Sequence, residues 1–264
     1  MKVLNKNRYD KLETLIMCYP VNYEPDDVEM DSDLMFKQYN NFINLLTKEG
    51  VSLYFLDPLY GKNQVYTRDI GFVVDDILFC SKMTNKQRLE EYKALEEYVE
   101  NKKLKLYKMK NNIEGGDVAV YQDKIFIGLS SRTTQEAIKE LQDYLDSVGK
   151  NYKIIPIRFD ADTMLHLDCV FNVINEDSCV ISEYVYDKEI LEKHFKNYYY
   201  IDKKTSLELG TNFVSLGDNK IVSGNKKVCE LLESKGIKTF YIDYSEIIKG
   251  GGAFTCTTLP IYRS

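Results

Sequence analysis

Val118-Ala119-Val120-Tyr121-Gln122-Asp123-Lys124-Ile125-Phe126-Ile127-Gly128 sets two apolar runs on either side of a two-residue polar break. Short runs rich in β-branched and aromatic residues around such a break read as a β-hairpin. The next segment, Thr133–Val148, has the spacing of an amphipathic helix, and Tyr152–Ile157 returns as a strand. The unit is therefore strand, turn, strand, helix, strand. Working outward, the same order recurs. Towards the C-terminus come the strand pair Cys169–Ile174 and Cys179–Ser182, the helix Asp187–Phe195 and the strand Tyr198–Ile201. The pair Phe213–Leu216 and Lys220–Ser223 follows, then the helix Asn225–Gly236 and the strand Thr239–Ile242. Towards the N-terminus lie the strands Val65–Val74 and Ile77–Cys80, the helix Asn85–Asn101 and the strand Leu104–Met109. Before them are a strand at Leu12–Pro20, a helix at Asp33–Gly50 and a strand at Val51–Leu56.

Five residues mark equivalent places: Asp69, Asp117, Asp168, Asn212 and Cys256, about 45–50 residues apart, within the range of repeat architectures. A single unit of this kind leaves an apolar face open, so the units must pack against one another. The simplest closure is a ring. The expected fold is an α/β protein, a five-bladed propeller of pseudo-fivefold ββαβ repeats with a central site, residues 1–264 forming one domain. The strand at Leu12–Pro20 completes the fifth unit beside a C-terminal strand at Thr255–Leu259.

A net charge of −6 with no long basic run gives no sign of nucleic-acid or anionic-membrane binding. No apolar run is long enough for a transmembrane helix, and the first residues lack the apolar core of a signal peptide. The six cysteines are scattered without CxxC spacing, which points to reduced thiols and a cytoplasmic location. With only two histidines and no clustered ligands, neither a metal nor a cofactor is expected. Nothing in the pattern speaks to oligomeric state, and a homo-oligomer stays open.

Four short motifs stand at the markers: Asn63-Gln64-Val65-Tyr66-Thr67-Arg68-Asp69, Ile113-Glu114-Gly115-Gly116-Asp117, Leu165-His166-Leu167-Asp168, and Lys249-Gly250-Gly251-Gly252-Ala253-Phe254-Thr255-Cys256. Each alone is ordinary: an ion pair, a turn, a structural histidine, a buried cysteine. Together they make one chemistry. Three glycines let the main chain approach a buried site and present the Cys256 sulfur into it. A thiolate nucleophile needs a base nearby, and His166 is the histidine at a marker. Glu114 can orient and charge that imidazole. Asp69 and Asp168 are two carboxylates facing one centre, which is costly unless a cation lies between them. A planar guanidinium offers five donors in a fork that suits carboxylates, so the small-molecule partner these residues ask for is a guanidino compound attacked at carbon by sulfur.

These motifs, in this order, resemble the guanidino-group modifying enzymes of the pentein fold: arginine deiminases, dimethylarginine hydrolases and amidinotransferases. Gly128-Leu129-Ser130-Ser131-Arg132-Thr133-Thr134 is similar to the family's Ser-x-Arg-Thr turn. The resemblance implies Cys256 as nucleophile, His166 as general acid and base, Glu114 as its acidic partner, and Asp69 and Asp168 as guanidinium clamps. It implies Arg132 as ligand of the substrate carboxylate and Arg88 as a second one, where an ordinary helix-surface arginine is the alternative.

Two departures bear on which member this is. Arginine deiminases typically carry an inserted helical segment for which this chain has no room, and its compact length is closer to the dimethylarginine hydrolases. Those enzymes usually have His-Leu-Lys where this chain has His166-Leu167-Asp168. Two methyl groups on the substrate would leave the second carboxylate unpaired, costing about 1–3 kcal/mol. The expected activity is therefore arginine deiminase-like: L-arginine or a close analogue to a ureido product (citrulline from arginine) plus ammonia, through a covalent thiouronium. Alternatives are dimethylarginine hydrolysis, amidino transfer, and a non-catalytic binding role on the same ring. The second departure is Ala253-Phe254-Thr255, where deiminases and amidinotransferases often have a histidine before the cysteine. The acidic loop Tyr23–Ser32 is a candidate lid.

Overall fold

Val118–Tyr121 and Lys124–Leu129 pair antiparallel, with Val118 opposite Ile127 and Tyr121 opposite Lys124. Gln122 takes φ 54°, the left-handed backbone that a two-residue hairpin turn requires. The helix that follows starts on Thr134, whose hydroxyl accepts from the Ala137 N–H, and buries Ala137, Ile138, Leu141 and Leu145 along one stripe. It delivers Lys153–Arg158 parallel to Lys124–Leu129.

The computed structural model describes residues 2–26 and 28–264. Its strands in chain order are β1 (Leu12–Cys18), β2 (Ser52–Leu56), β3 (Gly71–Val74), β4 (Ile77–Cys80), β5 (Leu106–Lys108), β6 (Val118–Tyr121), β7 (Lys124–Leu129), β8 (Lys153–Arg158), β9 (Phe171–Asn175), β10 (Ser178–Ser182), β11 (Asn197–Ile201), β12 (Val214–Gly217), β13 (Lys220–Ser223), β14 (Lys238–Tyr241) and β15 (Leu259–Arg263). The helices are α1 (Ser32–Lys48), α2 (Tyr92–Lys102), α3 (Gln135–Ser147), α4 (Lys188–Glu192), α5 (Lys203–Leu207), α6 (Lys226–Glu233) and α7 (Ser245–Ile248).

The strands form five three-stranded sheets: β3-β4-β5, β6-β7-β8, β9-β10-β11, β12-β13-β14 and β15-β1-β2. In each, the first pair is antiparallel and the second parallel. Burial orders the strands radially. The first strand of each sheet is almost wholly buried, whereas β2, β5, β11 and β14 expose much of their length. The ring is closed by the chain's two ends: β15 lies antiparallel to β1, and β1 parallel to β2. The fold is the expected pseudo-fivefold α/β propeller.

Helix α1 covers the closing blade. Asp31 caps it by accepting from the Leu34 N–H, and Met35, Tyr39, Phe42 and Leu46 face inward. Against them lies Phe254, with ring centroids 4.8 Å from Phe42 and 4.3 Å from Tyr244. Phe254, two residues before the cysteine, thus belongs to the core and fixes the turn that carries Cys256.

Among the boundaries that differ from the sequence reading, three bear on the site. Residues 65–70 form turns rather than the start of a strand, because Thr67, Arg68 and Asp69 all turn their side chains into the interior. The helix expected over Asn85–Asn101 is a single 3₁₀ turn at Lys86–Arg88 followed by α2, the break being where Arg88 dives to Asp69 and Glu91. The C-terminal strand is Leu259–Arg263 instead of Thr255–Leu259, since Phe254–Thr257 is the turn that presents the thiol.

Candidate active site

Every marker residue sits in a turn just before the innermost strand of its blade: Asp69 before β3, Asp117 before β6, Asp168 before β9, Asn212 before β12 and Cys256 before β15. Hydrogen bonds join these turns into a closed circuit. The Arg68 N–H donates to the Cys256 carbonyl (2.9 Å), and the Gly115 N–H to the Asp69 carbonyl (3.3 Å). Asp117 Oδ1 accepts from the Leu167 N–H (2.8 Å). The Thr211 hydroxyl donates to the Asp168 carbonyl (3.1 Å), and Asn212 Oδ1 accepts from the Thr255 N–H (3.0 Å). The repeat thus places five distant side chains around one axis with little freedom, as a reactive constellation needs.

His166 Nε2 is 2.8 Å from Glu114 Oε2, and its Nδ1 is 3.7 Å from Asp69 Oδ1. All three are buried. Burial by itself would lower the His166 pKa, but the Asp69 charge and the Glu114 hydrogen bond outweigh it and hold the imidazole well above its usual value. Burial likewise opposes ionisation of Glu114, and its bond to His166 with the Arg132 charge overcomes this and lowers it. The pair is a buried imidazolium–carboxylate. Replacing Glu114 with glutamine removes the anionic acceptor, so His166 loses its proton at lower pH. The alkaline limb of the kcat/KM profile then moves to lower pH, and activity at neutral pH falls about 10²–10⁴-fold. A pH–rate profile of both forms checks this.

Arg132 Nη1 lies 3.2 Å from Glu114 Oε2 at the mouth of the site. Arg88 is neither on a helix surface nor free. Its Nη1 is 2.6 Å from Asp69 Oδ2, its Nε donates to Glu91 (2.8 Å), and its Nη2 reaches the Tyr66 carbonyl (3.2 Å). It holds Asp69 and lines the same cleft as Arg132. Asp168 is buried, with its Oδ2 3.9 Å from Arg8 Nη2, and burial raises its pKa. One oxygen of each of these two carboxylates, Asp69 Oδ1 and Asp168 Oδ2, has no hydrogen-bond partner among the described residues.

Asn212 Nδ2 donates to Cys256 Sγ at 3.2 Å, while its Oδ1 accepts from the Cys256 N–H at 3.4 Å. The glycine run does what the sequence demands. Gly251 has φ 88°, and a Cβ on Gly252 would meet Tyr66 Cε1 at 2.6 Å and Cys256 Cβ at 3.0 Å. Tyr23 and Tyr66 both donate to the Ile247 carbonyl at 2.8 Å and fill the space a side chain would need. Gly252→Ala is therefore expected to cost about 1–3 kcal/mol of stability by overpacking and to depress kcat more than KM; thermal unfolding and steady-state kinetics test both. Of the acidic loop, Tyr23 packs under this turn, the Glu29 carbonyl accepts from Lys249 and the Asp31 N–H donates to Glu246, while Asp27 lies outside the described residues.

Asn63, Tyr66, Asp69, Asn85, Arg88, Arg132, His166 and Cys256 line one cleft of about 80 Å³, together with Leu165 and the three glycines, while Glu114 and Asp168, both fully buried, do not line it. Two groups have donor atoms near enough to share a metal, Asp69 with Glu114 and His166, and Asp168 with Cys169 and Cys256. Arginines already supply the positive charge at both: Arg88 and Arg132 at the first, Arg8 at the second. A guest with hydrogen-bond donors suits these anions better than a bare dication. Sequence reading gave Asn212 no role and missed Arg8 and Cys169 altogether. Asn212 shared the repeat period, which was a usable signal; Arg8 lies outside every repeat and gave none.

Ring, circuit and thiol together define a class, the guanidino-group modifying superfamily of the pentein fold. The family model described as N,N dimethylarginine dimethylhydrolase, eukaryotic, matches residues 24–263, and the chain belongs to that family. The uncharacterized protein YkgA of Bacillus subtilis is 32% identical over 99% of this chain and 96% of its own. An arginine deiminase of Oenococcus oeni is 28% identical over 76% of this chain, and the match spans 61% of the deiminase. Among solved structures, the product-bound N-terminal domain of ArgZ, described as an arginine dihydrolase from cyanobacteria, superposes with a TM-score of 0.85 over 96% of this chain and 98% of that one, at 17% identity.

Proposed function

We propose that this protein is a cysteine-dependent hydrolase of an unsubstituted guanidinium, of the arginine deiminase type, converting L-arginine or a close analogue to a ureido product and ammonia. The observation that carries this is the pair of orphaned carboxylate oxygens, Asp69 Oδ1 and Asp168 Oδ2. A buried acceptor without a donor is costly, and the N–H edges of a guanidinium satisfy both while neutralising their charge.

In this reading the Cys256 sulfur attacks the guanidinium carbon. The ring nitrogen Nδ1 of His166, the one not engaged by Glu114, gives its proton to the departing amine. A thiouronium on Cys256 remains. The now neutral His166 takes a proton from water, whose oxygen attacks the same carbon, and the thiolate leaves with the ureido product released. Asn212 holds the sulfur through both steps. The donors of Arg88 are committed to Asp69, Glu91 and two carbonyls, which leaves the substrate's carboxylate to Arg132.

The family model names dimethylarginine, and that substrate is the second reading. Comparing kcat/KM for L-arginine, asymmetric dimethylarginine and agmatine separates them. Arginine is expected to exceed dimethylarginine by about tenfold or more, matching an unpaired Asp168. Preference for dimethylarginine overturns the assignment of Asp168 as a donor-demanding clamp, and preference for agmatine overturns that of Arg132 as carboxylate ligand.

A further inference from the structure

Cys169 ends the turn Leu167–Cys169 two blades away from the nucleophile's turn, with the Asn212 blade between, yet its Sγ, the Sγ of Cys256 and a carboxylate oxygen of Asp168 all lie within 4.8 Å of one another. One donor spans both sulfurs: Asn212 Nδ2 is 3.2 Å from Cys256 Sγ and 3.9 Å from Cys169 Sγ. The Cys169 thiol itself points at Asp168 Oδ1, 3.5 Å away. Both cysteines sit in turns rather than in the middle of a strand. Closing the sulfur separation to the bonding distance of about 2.05 Å therefore asks movement of these turns and not of a sheet. Cys256 lines the open cleft, so a small oxidant reaches it first. Cys169 is 1% exposed and absent from the cleft wall.

We propose that Cys169 is a resolving thiol for the active-site cysteine: a peroxide oxidises Cys256, and Cys169 then closes a reversible disulfide that shuts the site. In the first step the Cys256 thiolate displaces water from hydrogen peroxide with uptake of one proton; an S–O bond forms, the O–O bond breaks, and the sulfur loses two electrons. In the second, Cys169 sulfur attacks Cys256 sulfur. The S–S bond forms, the S–O bond breaks, and the Cys169 proton passes by way of Asp168 to the departing hydroxide, which leaves as a second water.

The resting enzyme keeps Cys169 quiet. Its pKa is held well above the ordinary thiol value, first by its hydrogen bond with Cys256 and then by burial. Asp168 Oδ1, which the thiol faces at 3.5 Å, is placed to receive its proton, and Arg8 to offset the charge that results. The other buried thiols lack this arrangement; Cys18 and Cys80, for example, are pushed up to about 12, chiefly by burial. The consequence for activity rests on Cys256 being the nucleophile; the sulfur chemistry does not.

The test treats the intact protein with hydrogen peroxide and reads two things: peptide masses after blocking free thiols, and activity before and after dithiothreitol. The wild type is expected to yield a Cys169–Cys256 cross-linked peptide lacking two hydrogens, and to recover at least about tenfold more activity on reduction than Cys169→Ser or Cys169→Ala, in which Cys256 runs on to sulfinic acid. Wild-type protein carrying Cys256 sulfinic acid with no 169–256 cross-link overturns the proposal, as does full recovery in both variants. If guanidines are not turned over at all, the cross-link still decides the sulfur chemistry, and the failure falls on the proposed hydrolysis alone.

Discussion

Cys256→Ser is expected to lose turnover by about 10³-fold or more while keeping its fold. In the proposed reaction the Cys256 thiolate forms the bond to the guanidinium carbon, and a serine hydroxyl at neutral pH supplies almost no comparable nucleophile. The surroundings tolerate the exchange. The side chain is buried, Asn212 Nδ2 can donate to an oxygen as it does to Sγ, and the backbone bonds of the Phe254–Thr257 turn do not involve the sulfur. The stability change should stay within about 1 kcal/mol. Steady-state kinetics with thermal unfolding reads both. Acid-quenched wild-type enzyme should carry a substrate-derived mass on the Cys256 peptide that the variant lacks.

Asp168→Asn should fail differently, losing activity and stability together. Activity drops about 10²–10³-fold, because an amide turns donors towards a guanidinium that needs acceptors. Stability drops as well. Among the described residues, Asp168 is the one carboxylate within 4 Å of Arg8, and Arg8 has both terminal nitrogens buried without a hydrogen-bond partner. Removing one partner of a buried ion pair typically costs about 3–5 kcal/mol. Arg8 cannot look to its neighbours for relief. Arg68, whose pKa falls to about 9 mainly through burial, and Arg263 are arginines bound to carbonyl oxygens. The double variant Arg8→Gln with Asp168→Asn should therefore regain much of the stability and none of the activity. Denaturant unfolding beside kinetics for the three variants separates the clamp role from the structural one. Equal stability of Asp168→Asn and wild type would show that Arg8 does not depend on this carboxylate.

How much of this was legible in the sequence depends on how far each residue reaches. The hairpins at 118–129 and 171–182 were plain, because pairing between consecutive strands is written in adjacent apolar runs. The closing blade was legible only through counting: once four blades were found, the two chain ends had to supply the fifth. Boundaries failed where a side chain serves a distant partner. Arg88 breaks its helix to reach Asp69, and nothing near residue 88 announces that. The short helices at Lys203–Leu207 and Ser245–Ile248 were not foreseen, since a single turn or so of helix carries too little periodicity to see. Asp69, Asp168 and Cys256 stood out by recurring at the repeat period, and Glu114 and His166 by lying three and two residues before a marker. Cys169 looked like the first residue of a strand, and its proximity to Cys256 is a property of the closed ring alone.

In the proposed reaction Cys256 cleaves a guanidinium with water, and the most direct test measures both products of one incubation. Folded wild-type protein with L-arginine should release ammonia and a ureido product in equal amounts, and Cys256→Ser should release neither. Ornithine with an amidinated acceptor in place of ammonia, or no consumption of arginine, agmatine or dimethylarginine by folded protein, would contradict it.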